Sequence, residues 1–314
     1  MAEIVEPFGG PGGWSEALRR AGIEAEAIGF DLSADACATA QAAGHRRECV
    51  DISTVNPPAA EMTIASPPCW AWSTSGLKRA RGDRQIVMEA IASYARGDDR
   101  LAEARREVEE PTSLLVVEPL RWALMSGSRR LLLEQVPSVL PCWQVMAEGL
   151  RRHGYSVWTG IVEAADYGVP QTRQRAVLIA SRAEPVRPPV PTHTDGLAFT
   201  TQPWRTMDDV TDWPGRWLVG FPRRNDLDDG AGEYRLRDRQ LSDRPAFTVT
   251  EKARSWTRVP EDGGEQVRIS LEEAAAFQTF PASYPWAGSR TSRFRQCADA
   301  VPPQLAAALL GAML

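Results

Sequence analysis

Cysteine is scarce and scattered in this chain. The five cysteines, Cys37, Cys49, Cys69, Cys142 and Cys297, are odd in number, and no pair has zinc-ligand spacing. That argues against a disulfide framework and against a metal site. No apolar run approaches the roughly 20 residues of a membrane span. Glu3 and Glu6 stand where a signal peptide would carry positive charge. Internal repeats and low-complexity tracts are missing too. These absences predict a soluble, cytoplasmic protein with reduced thiols, no metal and no membrane attachment.

What is present is ordinary in bulk and uneven in detail. The 314 residues, 43% hydrophobic and 25% charged, suit one large domain carrying a smaller one. The net charge of −5 does not advertise a nucleic-acid binder, yet positive charge is bunched. Lys78, Arg79, Arg81 and Arg84 oppose only Asp83, and Arg290, Arg293 and Arg295 have no acid among them. Such clusters could meet phosphates locally. Solvated surface arginines give the same pattern.

Along the chain, strands and helices alternate. Residues 3–8 read as a strand entering Gly9-Gly10-Pro11-Gly12-Gly13, followed by a helix over 14–21 with Ser15 as its N-cap. A second strand over 25–30 ends at Asp31, a helix covers 33–43, and a third strand ends at Asp51. Residues 62–65 form a fourth strand, and a loop then leads to a charged helix over 85–109. Further helices are expected over 111–125 and 139–153, with strands at 130–133, 156–163 and 176–181. This alternation predicts a doubly wound, mostly parallel α/β sheet. After Ser181 the texture changes to Trp, Arg, Asp and Gly with weak periodicity, which reads as a small loop-rich lobe over 183–266. Helical patterning resumes at Ser270-Leu271-Glu272-Glu273, and 302–314 reads as an apolar packing helix.

The chemistry-bearing residues fall at strand ends, where open α/β sheets bind ligands. In Ser66-Pro67-Pro68-Cys69-Trp70, two prolines stiffen the turn that carries a thiol. The glycine turn lets backbone approach a ligand. Asp31 fits an acid for ribose hydroxyls, and Asp51 one for an adenine amino group. Glu134-Gln135-Val136 puts a carboxylate on the same edge as Cys69. In Gln171-Thr172-Arg173-Gln174-Arg175 the two arginines would share a side if extended. Taken singly, each has a blander reading: a core thiol, a common turn, a helix cap.

In this order the blocks resemble the cytosine-C5 methyltransferases that use S-adenosylmethionine. The match runs through Phe8-Gly9-Gly10-Pro11-Gly12-Gly13, Pro67-Pro68-Cys69 with the later Ser73, Glu134-Gln135-Val136, Gln171 to Arg175, Phe277-Gln278-Thr279-Phe280-Pro281, and Gln296-Cys297-Ala298-Asp299-Ala300-Val301-Pro302-Pro303. Trp70 replaces the family's Gln, Gln135 its Asn, and Ala298-Asp299 its Gly-Asn.

The resemblance implies a Rossmann-like class I methyltransferase, with a catalytic domain over 1–182, a target-recognition lobe over 183–266 and a returning segment over 267–314. It implies methyl transfer to carbon 5 of a flipped-out cytosine in double-stranded DNA, with Cys69 as nucleophile and Glu134, Arg173 and Arg175 around the base. Cofactor contacts are expected from Phe8, Gly9, Gly10, Gly12, Gly13, Asp31, Leu32, Asp51, Ile52, Pro67, Asp299 and Val301. DNA contacts are expected from Trp70, Ser73, Lys78, Arg79, Arg81, Arg223, Arg224, Arg235, Arg237, Lys252 and Arg254. The expected enzyme is a monomer associated with DNA in the cytoplasm. Two alternatives stay open at this point: the same chemistry on RNA or a free cytosine nucleotide, and a non-catalytic DNA-binding homologue.

Overall fold

The computed structural model describes residues 3–72, 80–196, 199–222 and 236–313. The chain divides into two compact units. The first comprises Met1–Val162, Gln174–Val190 and Ala306–Leu314, and the second Glu163–Arg173 and Pro191–Leu305. This grouping differs from the boundaries read from sequence, because 267–305 joins the second unit.

Seven strands build the sheet of the first unit: β1 (Ile4–Pro7), β2 (Ala27–Asp31), β3 (Arg47–Cys49), β4 (Met62–Ala65), β5 (Arg130–Gln135), β6 (Ser156–Glu163) and β7 (Gln174–Ser181). Their order is β3-β2-β1-β4-β5-β7-β6. β1 is parallel to β2 and β4, and β2–β3 and β4–β5 are parallel, whereas β7 runs antiparallel to β5. The predicted α/β class is the observed one. β4 is buried throughout and β5 nearly so, as expected for parallel strands covered on both faces.

The helices α1 (Gly13–Arg20), α2 (Ala34–Ala42), α3 (Ala80–Ala95), α4 (Leu101–Glu107), α5 (Glu118–Ser126) and α6 (Leu140–Arg152) complete this unit. Three differ from expectation. The N-cap of α1 is Gly12 at φ 105°, and Ser15 instead donates its hydroxyl to Glu6 Oε2 at 2.6 Å. The charged segment is two helices, not one, interrupted where Gly97 adopts φ 84°. It also begins earlier, because Asp83 is buried and accepts from Glu109 N, Glu110 N and the Ser113 hydroxyl. Residues 111–125 open as a 3-10 turn (Pro111–Val117) before α5.

One apolar cluster joins Leu131 and Leu133 of β5 and Leu178 of β7 to Val87 and Ile91 of α3 and Trp143 and Met146 of α6. A second gathers Val5, Ile28, Phe30, Ile52 and Trp122, with the Phe30 and Trp122 rings 4.8 Å apart.

The second unit holds a parallel pair, β8 (His193–Thr194) and β9 (Gln202–Pro203). It also holds an antiparallel sheet of β10 (Trp217–Pro222), β11 (Leu236–Leu241), β12 (Thr257–Pro260) and β13 (Val267–Arg268), ordered β11-β10-β12-β13. Helices α7 (Leu271–Phe277) and α8 (Arg290–Asp299) follow in this unit, and most of the last helix, α9 (Pro303–Gly311), belongs to the first. α7 opens with the capping box expected at Ser270 and Glu273. Trp217 and Trp256 are buried, and the Arg258 guanidinium lies 4.8 Å from the Trp213 ring and 4.2 Å from that of Trp217.

Candidate active site

Parallel strands end on one edge, so the sheet order brings β1, β2, β4 and β5 to a common rim. β7 runs the other way, and its first residues therefore reach the same rim from the opposite direction. Register makes this concrete: Glu134 faces Val177 and Gln135 faces Ala176.

From β1 the chain enters the glycine turn with positive φ at Phe8 (61°), Gly10 (50°) and Gly12 (105°). Gly10 N donates to Asp31 Oδ2 at 2.8 Å, and Ser33 N donates to Asp31 Oδ1 at 2.8 Å. Asp31 thereby ties the turn to the end of β2, and a Cβ built on Gly10 meets nothing within 4 Å. Asp51 lies just past β3 and accepts from the Ser53 backbone and hydroxyl through Oδ1. Leu32 is 72% exposed, whereas Ile52 is buried. An open turn at a helix start, two anchored carboxylates and an exposed apolar side chain fit an adenosine-bearing cofactor.

At the end of β4, Pro67 is buried, Cys69 half-buried and Trp70 55% exposed. Three neighbours hold this turn. Trp14 Nε1 donates to the Ser66 hydroxyl at 2.9 Å, Gln135 Nε2 donates to the Pro67 carbonyl, and the Ser138 hydroxyl donates to the Trp72 carbonyl at 2.6 Å. The lengthened amide of Gln135 thus spans to the turn that carries Cys69. Cys37, Cys142 and Cys297 are buried, and burial pushes their thiols up to about 12. A thiolate is therefore disfavoured at those three positions.

Glu134, on the last turn of β5, pairs with Arg175 of β7, Nε to Oε1 at 2.8 Å, both largely buried. Arg173 departs from the expected alternation, because β7 begins only at Gln174. Its guanidinium, in the second unit, donates to the carbonyls of Val249 (3.1 Å), Ala298 (2.8 Å) and Ala300 (3.3 Å). Gln171 and Gln278 extend this net, with Gln278 Nε2 donating to the Cys297 carbonyl at 2.6 Å. Arg173 thus braces the end of α8, where Asp299 is exposed and Val301 buried.

Sequence reasoning missed two further groups. Arg121 and Trp122 of α5 both donate to the Ile52 carbonyl, and Arg121 Nε pairs with Glu118 at 2.6 Å. Arg47 lies buried against Glu6 at 3.4 Å, so close to the glycine turn that a Cβ on Gly9 or Gly29 would overlap its guanidinium. No local signal in the sequence marks Arg47, because its register with Gly29 emerges only once β2 and β3 pair.

Of the expected DNA contacts, Ser73, Lys78, Arg79, Arg223, Arg224 and Arg235 lie outside the described residues. Arg81 falls in the first turn of α3, and Arg237 on β11 pairs with Phe221. Lys252 is exposed and Arg254 half-buried, both on the 3-10 turn Glu251–Ser255. Among the described residues no helix is long and apolar enough to cross a membrane, and no three-residue metal-ligand group occurs.

Comparison with known proteins completes the description. The family described as C-5 cytosine-specific DNA methylase matches residues 104–211 and 219–314. The Type II methyltransferase M.AplI of Arthrospira platensis is 27% identical, over 98% of this chain and 84% of its own length. M1.HphI of Haemophilus parahaemolyticus is 24% identical, over 99% and 86%. The crystal structure of the S. pombe Dnmt2 methyltransferase shares the fold at TM-score 0.67 and 15% identity, covering 100% of this chain and 98% of that one. With a cysteine-bearing turn, a carboxylate–guanidinium pair and a glycine turn on one strand edge, and with a family match over most of its length, the chain belongs to the C-5 cytosine-specific DNA methylases, S-adenosylmethionine-dependent enzymes that methylate carbon 5 of cytosine in DNA.

Proposed function

We propose that Cys69 is the nucleophile and that Glu134 and Arg175 receive the target base, which is flipped out of a DNA duplex. Bound S-adenosylmethionine supplies an electrophilic methyl group; Gly10, Gly12, Asp31, Leu32, Asp51 and Ile52 would hold it, and the family's closing motif adds Asp299 and Val301 as candidates. Cytosine carbon 5 is a weak nucleophile within the aromatic ring. A bond from Cys69 Sγ to carbon 6 moves the ring electron pair to carbon 5, which can then accept the methyl group. Loss of the carbon-5 proton to a base then expels Sγ and restores the ring. Glu134 binds the N3 edge and exocyclic amine, and Arg175 the O2 carbonyl, stabilising charge as it develops.

The observation that carries this reading is the Glu134–Arg175 pair at 2.8 Å beside the turn bearing Cys69. A carboxylate and a guanidinium held side by side match the alternating donors and acceptors of a cytosine edge. Arg173 is a positioning residue, acting through the carbonyls at the end of α8. The duplex buries carbon 6 in the stack, so flipping is required; methyltransferases are a standing example of it. Trp70, exposed next to the nucleophile, is poised to meet the DNA. We read the second unit as the region that chooses the target sequence. The Type II names of the relatives support a place in restriction-modification; a cytoplasmic monomer acting on double-stranded DNA is part of the same proposal.

The test is transfer of labelled methyl from S-adenosylmethionine to mixed-sequence duplex DNA. Label at cytosine carbon 5 is expected, falling at least about a thousandfold in Cys69→Ser, ~4 kcal/mol of barrier. Transfer that survives in Cys69→Ser, or that reaches RNA but not duplex, overturns the assignment.

A further inference from the structure

The second unit carries a group of cations that the reaction above does not use. α8 opens Arg290-Thr291-Ser292-Arg293-Phe294-Arg295, with the three arginines exposed while Phe294, Gln296, Cys297 and Ala298 are buried. The 3-10 turn Glu251–Ser255 packs beside it, and Arg290 Nη2 donates to the Arg254 carbonyl at 3.1 Å. Exposed Lys252 and half-buried Arg254 thus join the arginines of α8 on one face. Glu251 lies 3.7 Å from Arg295, and Asp299 is at the far end of the helix.

Folding alone does not explain this placement. The N-terminus of a helix is its positive end and favours acids, whereas the C-terminus favours bases. α8 has no acid in its first turn and no base in its last. Two of its guanidinium groups are also pre-oriented. Arg290 stacks 5.0 Å over the Phe294 ring, and Arg293 Nε donates to the Gly288 carbonyl at 2.7 Å. A guanidinium has five N–H donors, so each retains several for an external acceptor.

We infer that the face formed by α8 and the 251–255 turn binds the phosphate backbone of the DNA substrate. The inference rests on the DNA-methylase reading and extends it: these contacts supply affinity and register, not sequence choice. The occupant is a polyanion because the exposed cations outnumber their acids and oppose the helix's own dipole.

The experiment compares wild type with the triple variant Arg290→Gln, Arg293→Gln, Arg295→Gln. Binding of mixed-sequence duplex is measured between about 50 and about 200 mM salt. Each lost phosphate contact should flatten the plot of log K against log salt by about 0.9, so the slope should fall by about 2–3. The matching triple Arg→Lys variant should recover most of it, because phosphate is met by charge. Tm should stay level or rise in the Gln variant, since charges that oppose the dipole are gone. An unchanged slope overturns the inference, as does a lowered Tm with an unchanged slope, which assigns the arginines to folding. If wild type binds S-adenosylmethionine but no duplex, the parent reading falls and takes this one with it. Wild-type duplex binding with no change in the variant removes this inference alone.

Discussion

Two turns leave the same edge of the sheet and are shaped by opposite means. The turn after β1 relies on freedom: three alternate positions of unusual backbone, two of them glycine, with open space in front of Gly10. The turn after β4 relies on restraint: two prolines, then donors from Trp14, Gln135 and Ser138 that hold it at three points. The difference follows from what each must do. In the proposed function the glycine turn has to let main chain approach a ligand, whereas Cys69 must be kept at one position relative to a ring carbon.

The sharpest way to break the first turn lies behind it. In Gly9→Ala the new Cβ would sit 1.5 Å from Arg47 Nη1, and Arg47 is buried with Glu6. Displacing one member of a buried ion pair should cost about 3–5 kcal/mol, read as a loss of Tm. In Gly10→Ala the side chain meets nothing, and only the left-handed φ of 50° opposes it; a loss of about 1–2 kcal/mol is expected. Equal losses in the two variants would show that Arg47 does not support the turn.

Asp31→Ala tests the turn's ligand together with the tie from Gly10 N that holds the turn to β2. Removal of a charged hydrogen-bond acceptor should weaken S-adenosylmethionine about 10–100-fold, with kcat at saturating cofactor little altered, as titration calorimetry and steady-state kinetics would register. The second turn should respond in the opposite sense. Gln135→Leu removes the latch on Pro67, and kcat should fall about tenfold, ~1.4 kcal/mol, while cofactor affinity is kept. A loss of cofactor affinity in Gln135→Leu would mean that the two turns are not separable.

The effect that is smallest at neutral pH belongs to His45. His45 is held down to about 4 by burial, with Arg19 and Arg47 adding to the effect. Glu16, 3.7 Å away, opposes this, but its carboxylate is shared with Arg19 and Arg20. A histidine depressed on folding is protonated first in the unfolded chain, so stability should decline as pH falls from about 6.5 to about 4. In His45→Gln that part of the decline should be missing from a Tm-against-pH series.

The strand edge was legible in the sequence because its signals are local. Gly9 to Gly13, Asp31 and Pro67-Pro68-Cys69 each follow a short apolar run, and the run and its punctuation fix the position. The antiparallel sheet of the second unit was not legible. Its strands pair across long separations, Leu218 with Leu241 and Val219 with Arg258, and part of its interior is a cation between two indoles. Neither feature leaves a periodic trace. Arg173 illustrates the same limit at a smaller scale. Five residues read as one extended segment divide into two, Arg175 meeting a carboxylate and Arg173 three carbonyls, because those carbonyls come from residues some 76 to 127 positions away. Arg47 escaped notice since a buried charge looks like a surface one until the glycines that make room for it are found.

The reversal of β7 has a bearing on synthesis. Glu134 is translated well before Arg175, and the pair forms only when β7 has inserted beside β5. A ribosome-bound chain that has exposed the glycine turn, Cys69 and Glu134 therefore still lacks the guanidinium that pairs with Glu134. β7 lies between β5 and β6 although β6 precedes it in the chain, so its insertion closes the order of the sheet, and domains fold as units once their chain is available. Until β7 has been made and has inserted, the Glu134–Arg175 pair cannot exist.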